Sequence, residues 1–173
     1  VFSPCDTSNK IGKISFCNTE MIETSYEQAQ KKFQKWASTS INTRTEILLE
    51  IADALQAKEH FLFSLLQREA GKTINDAIAE VREAVDFCRY YAVQAKKTFA
   101  GKQMANVTGE HNHVTFMPKG VFVCISPWNF PLAIFIGQIA AALVCGNSVI
   151  AKPAEQTSII AFETVKIMQE AGL

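Results

Sequence analysis

The sequence has no excess of charge of either sign, because 17 Lys and Arg balance 17 Asp and Glu. A neutral chain has no general attraction for polyanions, so neither nucleic acid nor an anionic membrane surface is expected as a partner. There is no CxxC pair among Cys5, Cys17, Cys88, Cys124 and Cys145, and their number is odd. That usage excludes a disulfide framework and fits a reduced, cytoplasmic protein. No cationic start followed by a short apolar core marks a signal peptide. No uninterrupted apolar run reaches membrane length either, since Val121 to Ala151 is broken by prolines, asparagine and glycine. With only three histidines, His111 and His113 have no third ligand near them, and no metal site is expected. Two phosphate-binding signatures are also missing. No GxGxxG follows any candidate strand, and Gly71-Lys72-Thr73 is not a phosphate loop because Leu66 stands where its first glycine belongs.

What is present suffices for a packed core: 48% of the 173 residues are hydrophobic, enough for one domain or parts of two. Residues 1–113 read as a mainly helical segment. A short strand is expected near Lys13 to Phe16, followed by three helices. The first opens at a capping box, Thr24-Ser25-Tyr26-Glu27, and runs to about Trp36. The second opens at Thr43-Arg44-Thr45-Glu46 and carries Ile47, Leu48, Ile51, Leu55, Leu62, Leu65 and Leu66 as far as Gly71. The third places Ile74, Ile78, Val81, Val85, Cys88 and Tyr91 on one face, with Glu80, Arg82, Glu83 and Arg89 off it. Residues 101–113 read as a polar connector.

The pattern changes in residues 114–173. Val114 to Met117 is a candidate strand, and Val121 to Ile125 reads as a strand buried on both faces because it is apolar without alternation. Leu132 to Val144 follows as a helix, Gly146 as its left-handed cap, Ser148 to Ala151 as a second buried strand, and Ser158 to Ala171 as a helix. The order strand, helix, strand, helix begins a parallel α/β unit. The fold class is therefore α/β: a helical segment followed by the first part of a Rossmann-like parallel sheet.

Two stretches carry chemistry. In Cys124-Ile125-Ser126-Pro127-Trp128-Asn129-Phe130-Pro131 the prolines fix φ and remove two amide hydrogens, so the crossing from strand to helix has one shape. Such a crossing at the carboxyl end of a parallel strand is where open α/β sheets bind ligands. Trp128 and Phe130 suit pocket walls. The Asn129 amide either satisfies neighbouring backbone in a rigid turn or donates to an oxygen that becomes negative during reaction. In Lys152-Pro153-Ala154-Glu155 the two charges either lie solvated at a strand end or hold the hydroxyls of a ribose.

Taken together, Pro118-x-Gly120-Val121, Pro127-Trp128-Asn129-Phe130-Pro131, Ala142-x-x-x-Gly146-Asn147, Lys152-Pro153-Ala154-Glu155 and the upstream Glu69-Ala70-Gly71-Lys72 resemble the nucleotide-binding region of the aldehyde dehydrogenase superfamily. Within it, the longer runs REAGKTINDAIAEVREAVDFCRYYA and VCISPWNFPLAIFIGQIAAAL are similar to the pyrroline-5-carboxylate dehydrogenase module of bifunctional proline utilization A proteins. The resemblance implies an NAD-dependent enzyme that oxidises glutamate γ-semialdehyde to glutamate, a homo-oligomer when full length. A dehydrogenase for another aldehyde, such as succinate semialdehyde, and a non-catalytic half-fold used for binding or assembly are the alternatives. It further implies that Asn129 is the side-chain half of an oxyanion hole, that Ile125, Ser126, Pro127 and Trp128 line the cofactor cleft, and that Lys152 and Glu155 face the adenosine ribose. The family's thiolate nucleophile and glutamate base are expected outside these residues. The chain is thus expected to be an incomplete part of that fold, inactive alone and prone to associate through its open sheet edge.

Overall fold

The computed structural model describes residues 1–173. Four helices come first: α1 (Thr19–Ala37), α2 (Ile41–Ala57), α3 (Glu59–Ala70) and α4 (Ile74–Phe99). Two short strands, β1 (Lys102–Gln103) and β2 (His113–Val114), pair antiparallel. Then come β3 (Val121–Ile125), α5 (Ala133–Val144), β4 (Ser148–Lys152), a single 3₁₀ turn at Glu155–Thr157, and α6 (Ser158–Glu170). The α/β class and the parallel pairing of β3 with β4 agree with the reading of the sequence.

Several local expectations are corrected. No strand forms at Lys13 to Phe16; the only pairing in the first residues is a bridge between Phe2 and Lys10. The first helix starts before Thr24, because the Asn18 side chain accepts from the Met21 amide and caps it at that point. Ser25 lies inside that helix and its hydroxyl bonds back to the Met21 carbonyl. The cap of α2 is Ser40, which accepts from the Thr43 amide, and not Thr43 itself. The expected long second helix is two helices, with Lys58 as the joint between α2 and α3. The 101–113 connector contains β1, and the expected strand at 114–117 is reduced to its first residue, paired with β1 and apart from the parallel sheet. Strand β3 is not buried on both faces, since Phe122, Val123 and Ile125 are exposed and only Cys124 is buried. The strand is apolar on a face that nothing in these residues covers.

One apolar cluster joins the helical segment to the α/β segment. It includes Leu48, Ile51 and Leu55 of α2, Leu62 and Leu66 of α3, Val81, Val85 and Cys88 of α4, Phe135, Ile136 and Ile139 of α5, and Ile160, Ile167 and Met168 of α6. Burying each large aliphatic or aromatic side chain contributes about 1.5–3 kcal/mol. Helix α4 packs against α2 on one side and α5 on the other, while α5 lies on the sheet.

Charged groups on this apolar surface hold the ends of α5 and α6. At the amino end of α5, Glu80 Oε1 accepts from the amides of Leu132 (2.8 Å) and Ala133 (3.2 Å). At its carboxyl end, Arg44 Nε donates to the Val144 carbonyl (2.9 Å) and Trp36 Nε1 to the Leu143 carbonyl (2.8 Å). Acid at the start and base at the end both match the helix dipole and satisfy backbone groups that a helix leaves unpaired. Glu69 does the same for α6, accepting from the Ile159 and Ile160 amides at 2.7 Å each. Burial raises the Glu69 pKa above its ordinary value, and the two amides oppose the rise without cancelling it. Glu80, expected off the apolar face of its helix, is in fact 1% exposed.

Burial also sorts the cysteines. It pushes the Cys88 thiol up to about 12 and raises those of Cys124 and Cys145, with Arg44 lowering the last in part. Cys5 and Cys17 are exposed. In the folded protein, an alkylating reagent at mildly alkaline pH should modify Cys5 and Cys17 first and leave Cys88 intact until unfolding. Peptide mass mapping over time checks this, and labelling of Cys88 as fast as Cys5 would contradict it.

Candidate active site at the ends of two parallel strands

The register of the parallel pair places the two sequence motifs side by side. Val121 pairs with Ser148 and the ladder continues to Ile125 opposite Lys152. The Ser126 amide extends it by donating to the Lys152 carbonyl (3.1 Å). The residues just after β3 therefore adjoin those just after β4, on the carboxyl edge where such sheets take ligands.

Asn147 sets this register. Its Oδ1 accepts from the amides of Lys119 (2.7 Å) and Gly120 (3.1 Å), while its Nδ2 donates to the Ala142 carbonyl (3.2 Å). The turn before β3 is thereby tied to the turn before β4. Gly146 makes the approach possible: its φ is +87°, and a Cβ there would stand 2.7 Å from Pro118 Cγ. The Ala142-x-x-x-Gly146-Asn147 motif has a mechanical meaning here, since it starts both strands level with each other.

After β3 the chain turns through Pro127 to Pro131 into α5. Trp128 and Phe130 are exposed, at 60% and 40%, and Asn129 between them is exposed as well. The Asn129 side chain makes no hydrogen bond within the chain. Its amide is thus not used to satisfy the turn, the first of the two readings of this residue, and both donors are free. Ser126 is the reverse case, 5% exposed with an Oγ that has no partner. The Ile125 carbonyl accepts from Gln138 Nε2 (3.2 Å), which steadies the start of the corner.

Across from this corner, Lys152 Nζ and Glu155 Oε2 lie 3.8 Å apart, and both side chains are more than half exposed, at 57% and 59%. The Glu155 carboxyl is held below the usual carboxylate range by its own backbone amide first and by Lys152 among smaller causes. It is therefore ionised at neutral pH and free to accept from hydroxyls. An exposed pair of this kind contributes little to stability.

These residues fit the ribose and ring portions of a dinucleotide: an acceptor and a donor at one strand end, an exposed indole and an unpaired buried hydroxyl at the other. They do not offer the usual pyrophosphate seat. The amides that begin α5 and α6 are already taken by Glu80 and Glu69, which agrees with the missing GxGxxG. An open surface depression lies elsewhere, on α4 beside Arg82, Glu83, Asp86 and Tyr90.

The reading of the sequence missed Lys72 and Glu80, which brace the corner from beneath. Glu80 Oε2 stands 2.5 Å from Lys72 Nζ as an ion pair, and the same ammonium lies 4.1 Å from the centre of the Phe130 ring.

The aldehyde dehydrogenase family model matches residues 1–173. The chain belongs to the aldehyde dehydrogenase family. Among its relatives, the bifunctional protein PutA of Escherichia coli (strain K12) is 44% identical over 173 residues, all of this chain and 12% of that protein. The 1-pyrroline-5-carboxylate dehydrogenase of Anoxybacillus flavithermus is 38% identical over 171 residues, 99% of this chain and 33% of that enzyme. A crystal structure of 1-pyrroline-5-carboxylate dehydrogenase from Thermus with bound NAD has a TM-score of 0.95 at 34% identity, covering 99% of this chain and 34% of that one. This aldehyde dehydrogenase chain thus spans between 12% and 34% of the length of these relatives. None of its helices is long and apolar enough to cross a membrane.

Proposed function

We propose that this chain is part of an NAD-dependent dehydrogenase that oxidises glutamate γ-semialdehyde to glutamate in proline catabolism. In this reading residues 1–113 form a helical segment, and residues 114–173 open the nucleotide-binding domain of a cytoplasmic homo-oligomer. NAD, when bound, accepts the hydride that leaves the aldehyde carbon.

The residues of this chain bind and orient. Ile125, Ser126, Pro127 and Trp128 line the cleft at the end of β3, and Lys152 and Glu155 hold the ribose hydroxyls at the end of β4. Asn129 donates its amide to the carbonyl oxygen as that oxygen gains negative charge. The nucleophilic thiolate comes from elsewhere in the full-length protein. Cys88, Cys124 and Cys145 have thiols raised by burial, the opposite of what a nucleophile needs. The residues 1–173 alone are accordingly expected to be inactive.

The observation that carries the reading is the strand register, which puts the unbonded Asn129 corner beside the Lys152–Glu155 pair. The test is NADH formation by the full-length protein with a panel of semialdehydes. The highest kcat/KM is expected for glutamate γ-semialdehyde. A higher value for succinate semialdehyde would reassign the substrate, and no NADH with any aldehyde would leave a binding or assembly module.

A further inference from the structure

The corner that presents Asn129 is held from below by charges that a simple turn does not require. Glu80 is 1% exposed and sits in the second turn of α4. One of its carboxylate oxygens accepts from the Leu132 and Ala133 amides, and the other pairs with Lys72. The Lys72 side chain is only 11% exposed, and its ammonium lies over the Phe130 ring. With both oxygens committed in different directions, the carboxylate cannot rotate. With its ammonium between a carboxylate and a ring face, the lysine is equally fixed.

The chain positions involved are telling. Phe130 directly follows Asn129, and Leu132 and Ala133 come two and three residues after Phe130. On the other side of Asn129, the Ser126 amide is bonded to β4 at the Lys152 carbonyl. Pro127 and Pro131 remove φ freedom between these anchors. The stretch from Ser126 to Ala133 is anchored at both ends, and within it the exposed Asn129 amide and the buried Ser126 hydroxyl are left without a bond. A neutral acceptor on α4 would satisfy the two helix amides without the cost of burying a charge. The charged version adds one thing, a grip on Phe130 through Lys72.

We propose that Lys72 and Glu80 form a clamp that positions Asn129 against the reacting carbonyl; this rests on the oxyanion reading of Asn129 given above. Lys72 and Glu80 are positioning residues and touch neither substrate nor cofactor in this account. A misplacement of about 1 Å in a catalytic group costs on the order of a hundredfold in rate. Releasing the clamp should therefore lower kcat roughly ten- to a hundredfold while the KM for NAD+ stays within about twofold.

The test is a double-mutant cycle in the full-length enzyme. Lys72→Met keeps the apolar stem and removes the ammonium. It should lower kcat in the wild-type background, and Lys72→Arg, which keeps a cation over the ring, should recover most of the loss. In an Asn129→Ala background, Lys72→Met should have little further effect, because the group it positions is gone. A purely structural lysine would instead multiply the two losses, and that result overturns the clamp while leaving Asn129 in its role. If Asn129→Ala alone keeps wild-type turnover, the oxyanion reading fails and the clamp fails with it. Should Lys72→Met not fold, Glu80→Gln keeps the volume and one acceptor for the α5 amides but loses the pairing with Lys72. It must show the same dependence on Asn129, and independent losses there also overturn the proposal.

Discussion

Replacing Asn129 by alanine in the full-length enzyme is expected to lower kcat about a hundredfold or more. An oxyanion donor supplies about 2.7–4 kcal/mol of transition-state stabilisation, and the ground-state carbonyl gains much less from it. The loss should therefore fall on kcat with little change in the KM for NAD+. The structure gives the reason for expecting so large an effect from one amide. Its donors are unbonded, the residue is exposed, and the backbone on either side is fixed by two prolines. A donor that is rigidly held and not consumed by its own turn costs nothing to reorganise when charge develops. Initial rates at saturating substrate check the prediction, and turnover within about threefold of wild type would remove Asn129 from the chemistry.

The largest effect on stability is expected from Arg44→Ala. Arg44 is 4% exposed, and its guanidinium donates to the carbonyls of Ala37, Thr39 and Val144. It also lies 5.4 Å from the centre of the Phe99 ring. It thus joins the end of α1 to the carboxyl end of α5. Removing it leaves buried carbonyls unpaired and opens a cavity, at a combined cost of about 3–5 kcal/mol. Arg89 provides the contrast: its pair with Asp53 is exposed, at 45% and 75%, and Arg89→Ala should cost at most about 1 kcal/mol. Thermal denaturation of the two variants side by side checks this. Equal melting temperatures would show that Arg44 is not the tie described.

The sequence made the apolar frame legible, and the charged exceptions within it were the part misread. The stripe of α2, Leu48, Ile51, Ala52 and Leu55, follows helical spacing, and Arg44 lies one turn before Leu48 on that same stripe. Glu69 stands three and four residues after Leu66 and Leu65 on the stripe of α3, and Glu80 follows Ala77 by three and precedes Ala84 by four on that of α4. Each is a charge where the period calls for an apolar residue, and each reaches backbone groups at an end of α5 or α6. Periodicity alone shows that such a residue points inward. It does not show which helix end will meet it, because that depends on packing between segments distant in sequence. The residue type of Glu80 points to the polar face, while its place in the period points inward, and the position prevails.

The helix starts were misread for a different reason. Thr24-Ser25-Tyr26-Glu27 has the right letters for a capping box, but Asn18 offers a cap earlier and the chain between is compatible with helix. The apolar texture of β3 was right and the inference of two-sided burial was not, because Phe122, Val123 and Ile125 face outward in these residues. The corner and the strand-end charges were legible as motifs. Their adjacency was not, since it depends on Asn147 bonding to the turn before β3 and so setting the register.

The claim on which the rest depends is that the cofactor lies across the carboxyl ends of β3 and β4, with Glu155 on the ribose. Equilibrium titration of NAD+ into the full-length enzyme and its Glu155→Ala variant tests it most directly. Hydrogen bonds to a charged acceptor contribute about 1.5–3 kcal/mol, so Kd should rise roughly ten- to a hundredfold in the variant. A Kd for Glu155→Ala within about twofold of wild type would place the cofactor away from these strand ends and contradict the account.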